Sequence, residues 1–145
     1  MKVAQVVFVW IAYNLYGFAA AGRYCKTLEI PMCQDIGYER TFTLTPNIFN
    51  HQNQEEAGIE IHQFFPLVKI ECSPDLRMFL CLLYAPPCST KKDKSIPPPP
   101  PCRSLCESAK AGCEPTMNDF GFDWPERLNC KQFPEDGGLC ISPAR

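Results

Sequence analysis

Ten cysteines in a chain of 145 residues constrain this sequence more than any other feature. In a reducing compartment such a set would suggest metal or redox chemistry, whereas in an oxidising one an even number reads as a disulfide framework. The N-terminus separates the two. Lys2 supplies a positive n-region, Val6 to Tyr13 an apolar h-region, and Ala19, Ala20 and Ala21 before Gly22 the small residues of a cleavage site. A membrane-spanning anchor over Val3 to Gly22 is the rival reading, but that stretch is barely long enough to cross and contains Gln5 and Asn14. The sequence therefore predicts a signal peptide over residues 1–21, and under either reading the cysteines face an oxidising space. Removing those 21 residues leaves 124 and takes away Lys2, so 13 basic side chains face 16 acidic ones, a net charge of −3. This balance lacks the basic footprint of a nucleic-acid binder, so no nucleic-acid partner is expected. The length excludes a doubly wound nucleotide fold, an α/β barrel and a seven-helix membrane protein.

No internal repeat is visible, and one break in composition stands out. Ser89 to Pro101 carries Lys91, Lys92 and Lys94 and then the five prolines Pro97 to Pro101, which cannot donate backbone hydrogen bonds and favour polyproline II. We read residues 89–101 as a loop; a proline-rich ligand for an SH3-type partner is disfavoured because such partners are intracellular. Five cysteines (25, 33, 72, 81 and 88) precede the prolines and five (102, 106, 113, 130 and 140) follow. Two independent domains would each hold an odd number, so disulfides must cross the loop and make residues 22–142 one domain.

The clearest helix begins after Asn53, with Asn53 and Glu56 in N-cap and N3 positions, and is expected to run to about Ile70. Ala57, Ile61, Phe64 and Val68 form an apolar stripe along it. Ile59, His62, Gln63, Pro66 and Ile70 fall on the far side, where a simple surface helix should be charged; such a helix is sandwiched in the core or lends its second face to a ligand. Pro66 should kink it. Ser73, Pro74 and Asp75 open a second helix, apolar from Leu76 to Tyr84 and ended before Pro86. A third is expected from Cys102 to Ala111, terminated by Gly112, and a short fourth near Thr116 to Phe120, ending at Gly121. Strand signals are confined to Thr41 to Leu44 and to the segment around Ile30.

Catalytic and metal chemistry finds little support. Cys102 and Cys106, alone or with His51 or His62, could ligate zinc, but paired Cys-x-x-Cys knuckles are missing and the compartment favours disulfides, so no metal or other cofactor is expected. G-x-S-x-G, phosphate-loop, calcium-loop and N-x-S/T patterns are absent, and the only general-base candidate near an apolar cluster is His62 beside Phe64 and Phe65. The remaining signal is an excess of large apolar side chains, namely Phe64, Phe65, Pro66, Leu82, Leu83, Tyr84, Phe120, Phe122 and Trp124. Part must be core, and the excess suggests a hydrophobic groove.

Several segments resemble the cysteine-rich domain of Frizzled receptors and secreted Frizzled-related proteins: QEEAGIEIHQFFPLVKIECSPD at Gln54 to Asp75, FLC at Phe79 to Cys81, YAPPC at Tyr84 to Cys88, PCRSLCESAKAGC at Pro101 to Cys113, and FGFDWPERLNC at Phe120 to Cys130. The likeness spans Cys25 to Cys140 with all ten cysteines in order. It implies a small, mainly α, disulfide-rich domain of about four helices with a minor β element. The implied pairing is Cys25 with Cys88, Cys33 with Cys81, Cys72 with Cys113, Cys102 with Cys140, and Cys106 with Cys130, where Cys72–Cys113 meets the parity requirement. It also implies a non-enzymatic extracellular domain that binds Wnt proteins by holding their unsaturated acyl chain in an apolar groove, with a second protein contact nearby. By position the groove would involve His62, Gln63, Phe64, Phe65, Pro66, Ile70, Leu83, Tyr84 and Phe120. Phe64 is also assigned to the core stripe above, a conflict that either the kink at Pro66 or a different assignment of the helix faces would have to resolve.

Three departures from the family pattern are visible. Glu39-Arg40-Thr41 stands where a sequon often follows the tyrosine, Pro87 replaces a β-branched residue, and the proline run is longer than usual. The expected role is a receptor ectodomain fragment or a soluble antagonist, secreted or on the outer face of the plasma membrane. The alternatives are a secreted carrier of free fatty acid and a secreted hydrolase built on His62. Homodimerisation through the groove-bearing helices is a further expectation.

Overall fold

The computed structural model describes residues 25–42, 47–88 and 98–144. The expected signal peptide lies outside these, as do most of the polyproline loop and the second half of the strand expected over Thr41 to Leu44. Four helices, two short strands and five disulfides make up the described chain: β1 (Cys25–Thr27), β2 (Arg40–Phe42), α1 (Gln54–His62), α2 (Phe65–Lys69), α3 (Leu76–Tyr84) and α4 (Arg103–Asp119). Single 3-10 turns lie at Pro31–Cys33, Glu126–Leu128 and Cys130–Gln132. The fold is mainly α and disulfide-rich, as expected.

Helix α3 is the axis. Seven of its nine residues, Leu76 and then Phe79 to Tyr84, are buried, which fits a run whose only charge is Arg77. That guanidinium closes the N-terminal segment over the helix, Nε donating to the Met32 carbonyl at 2.8 Å and a terminal nitrogen to that of Gln34. Helix α4 lays Leu105, Cys106, Ala109, Cys113 and Met117 against the core at helical spacing. Trp124 and Phe133 seal the far end around Phe79, with ring centroids 6.3 and 5.5 Å away.

The pair β1–β2 is antiparallel, with Cys25 opposite Phe42 and Thr27 opposite Arg40. Residues beyond α3 join its edge: the Phe42 amide donates to the Pro86 carbonyl and the Cys88 amide to that of Arg40. Ile30, expected in a strand, instead precedes the Pro31–Cys33 turn, where it is buried. All ten cysteines are paired as the resemblance implied, with Cα separations of 5.0 to 5.7 Å.

Two helix expectations need correction. The helix expected from after Asn53 to about Ile70 is two helices, broken at Gln63 and Phe64. Pro66 falls in the first turn of the second, where its missing N–H would have had no intrahelical partner. The helices expected at 102–111 and 116–120 are one, α4, which continues through Gly112 and Pro115. Gly112 does not end it; a Cβ there would lie 2.4 Å from the Cys72 carbonyl oxygen, so glycine lets α4 press against the turn before α3. The end comes at Gly121, whose φ of +79° permits paired bonds from the Gly121 amide to Asn118 and from the Phe122 amide to Met117.

Candidate binding surface

The surface around α1 and α2 follows from how α1 starts and stops. The Asn53 side chain accepts from the Glu56 amide at 2.9 Å and Glu56 accepts from the Gln52 amide at 2.7 Å, a reciprocal cap. At the other end the Gln63 and Phe64 amides donate to the carbonyls of Glu60 and Ile61. The break turns Phe64 inward, where it is 3% exposed, while Phe65 points out at 41%. Phe64 thus sits with Ala57 and Ile61 in the core. His62, Gln63, Pro66 and Ile70 are exposed, and the His62 ring lies nearly parallel to that of Phe65 with centroids 5.3 Å apart. Ile59 and Ile70 add bare apolar area, and no residue of α2 is buried.

The other expected groove residues lie elsewhere. Phe120, at the C-cap of α4, is 77% exposed, and Phe122 two residues on is exposed as well. Leu83 and Tyr84 are buried at the end of α3. Leu83 lines an apolar cavity of about 290 Å³ with Phe42, Ile48, Pro86 and Pro98 to Pro101. Tyr84 points toward Glu60, and its ring lies 4.6 Å from Phe49 and 5.8 Å from His51. The structure therefore brings His62, Gln63, Phe65, Pro66 and Ile70 to one exposed helix pair and leaves Leu83 and Tyr84 behind it in the interior.

Sequence reading missed Glu60. Its carboxylate accepts from the Tyr84 hydroxyl at 2.8 Å and from His51 Nε2 at 2.7 Å, and it pairs with Arg127, whose guanidinium lies over the Phe49 ring. Burial alone would raise the Glu60 carboxyl; the bonds from Tyr84 and His51 and the Arg127 charge outweigh it, and the net shift is downward. Burial first, then the bond to Glu60, pushes the Tyr84 phenol far above its ordinary value. No local signal marked it: Glu56 equally lacks a basic residue three or four positions away, and the partners of Glu60 lie outside α1.

Every cysteine is in a disulfide, and no cluster of three or more potential ligands for a metal occurs among the described residues. Residues 25–137 match the model of the family described as "Fz domain". The chain belongs to the Fz domain family. It is 52% identical over 120 residues to Frizzled-1 of Xenopus laevis, covering 81% of this chain and 20% of that protein, so it spans about a fifth of that relative's length. The fold is also that of the Smoothened cysteine-rich domain, whose crystal structure superposes with a TM-score of 0.52 at 24% identity over 77% of this chain and 93% of that one. An Fz domain with all ten cysteines oxidised belongs to a secreted or extracellular setting. No described helix is long and apolar enough to cross a membrane.

Proposed function

We propose that this Fz domain is a non-catalytic Wnt-binding module whose exposed α1–α2 face takes the acyl chain of a lipidated Wnt, in a receptor ectodomain or a soluble antagonist. The observation that carries the reading is the bare face of α1 and α2, where Ile59, Phe65, Pro66 and Ile70 stand in solvent and charged side chains would be expected. Each methylene moved from water onto such a face contributes about 0.8 kcal/mol, so several carbons suffice to anchor a partner that protein contacts alone would hold weakly. Family membership supports Wnt as the partner class.

The test is binding of an acylated Wnt, and of the same Wnt without its acyl chain, to the purified domain. Phe65→Glu and Ile70→Glu are the informative variants, since both side chains are exposed and the core is untouched. Leu83→Glu would bury a charge and unfold the domain, so it is unsuitable. Loss of binding on deacylation and in both variants is expected. Equal affinity for the two Wnt forms would refute acyl capture, and absence of binding to either would refute the Wnt assignment.

A further inference from the structure

Glu60 occupies the point where four segments of the domain meet. Its side chain takes hydrogen bonds from Tyr84 at the end of α3 and from His51 in the loop before α1, and it pairs with Arg127 of the Glu126–Leu128 turn. His51 is held in turn by Asn47, whose side chain lies 3.1 Å from His51 Nδ1 and accepts from the His51 amide at 2.8 Å. The same residue carries the end of α1 on its backbone, because the Glu60 carbonyl accepts from the Gln63 amide. His62 and Gln63 therefore hang from a residue whose side chain is fixed from three directions. Two residues further on, His62 stacks on Phe65 across the helix break.

We propose that Glu60 is the positioning residue of the α1–α2 surface: its carboxylate, clamped by Tyr84, His51 and Arg127, sets the rotation of the last turn of α1 and so the angle at which His62 and Phe65 are presented. This rests on the acyl-binding reading of that surface. Each bond to the carboxylate is charge-assisted, which makes it stronger and more directional than a neutral one. A neutral amide of the same shape keeps one acceptor oxygen and loses the charge that both Arg127 and His51 address. The exposed surface itself contains nothing equivalent, since Ile59, Phe65 and Ile70 are apolar.

The experiment uses Glu60→Gln and Arg127→Gln in the chain with its five disulfides intact, well below the unfolding temperature. The ring-proton shifts of His62, displaced by the Phe65 ring, report the stack directly, and a fluorescent uncharged unsaturated acyl ester reports binding. A purely structural role would lower the melting temperature and leave the His62 shifts of the folded molecules in place. The positioning role predicts that those shifts move in both variants, that the double variant moves them no further than Glu60→Gln alone, and that acyl affinity falls by about tenfold. Unmoved His62 shifts overturn the proposal, as does unchanged affinity in the variants of a parent that binds the ester. If the parent does not bind the ester, the acyl reading fails by itself, and the shifts still decide whether Glu60 positions the surface.

Discussion

Replacing Gly112 by alanine sets two effects of opposite sign against each other. In a helix interior alanine is favoured over glycine by about 1 kcal/mol, and Gly112 lies inside α4, so propensity alone predicts stabilisation. The added Cβ, however, would stand 2.4 Å from the Cys72 carbonyl oxygen and 2.8 Å from Ser73 Cβ. Relief requires the helix and the turn to separate by about 1 Å, and several ties oppose that: the Cys72–Cys113 bridge next door, the Ser73 hydroxyl on the Ser108 carbonyl at 3.2 Å, and the Ser108 hydroxyl on Asp75 at 2.5 Å. Overpacking against a fixed backbone costs about 3 kcal/mol at the upper end of its usual range, leaving a net loss of about 2 kcal/mol. At about 4 °C per kcal/mol for a domain of this size, the melting temperature should fall by about 8 °C. Gly58→Ala is the matched control: in α1 a Cβ meets only Ile30 Cγ1 at an ordinary 3.7 Å, so it should gain about 0.5 to 1 kcal/mol. Thermal and guanidinium unfolding of the oxidised proteins, with peptide mapping of the Cys72–Cys113 bridge, measures both. A Gly112→Ala protein as stable as the parent with all five bridges intact would refute the close-approach argument.

Asn53→Ala should remove the α1 cap and cost about 1 kcal/mol, read as a lower denaturation midpoint at unchanged slope. Tyr38 and Tyr84 both have phenols raised by burial, so below about pH 10 they are protonated in folded and unfolded chains alike and contribute no pH dependence to stability. Above that pH only the unfolded chain ionises there and stability falls; ultraviolet titration should show these two phenols ionising together with unfolding. Replacing Cys106 and Cys130 by serine opens a loop of sequence separation 24 and should cost about 3 kcal/mol, measured by chemical denaturation against the parent.

What the sequence made legible was local or counted. The Asn53 and Glu56 pair could be read because both partners lie within one turn, and the helix forms there as expected. The odd division of cysteines required a bridge across the prolines, and Cys72–Cys113 is that bridge. Errors arose where one residue type serves two purposes. Pro66 marks an interruption either as a kink or as the start of a new helix, and only the turn at Phe64 decides between them. Gly112 looks like a stop signal, but the reason for glycine is a carbonyl forty residues earlier in the chain, at Cys72, which no local pattern encodes. Leu83 and Tyr84, whose apolar bulk suits a groove or a core alike, are buried at the end of α3, and Leu83 also lines the apolar cavity beside Pro98 to Pro101. Glu60 escaped notice because its partners come from three distant segments.

The placement of the one bridge that crosses the prolines bears on how the domain would respond to proteases. Cys25–Cys88 and Cys33–Cys81 close before the proline-rich connection, Cys102–Cys140 and Cys106–Cys130 close after it, and Cys72–Cys113 alone joins the two sets. A cut anywhere between Cys88 and Cys102 would yield a two-chain molecule that still migrates as one species until a reductant is added. The α3–α4 contact would persist in it, because the covalent tie lies beside that contact. Secreted material would therefore have to be compared with and without reductant before being judged intact.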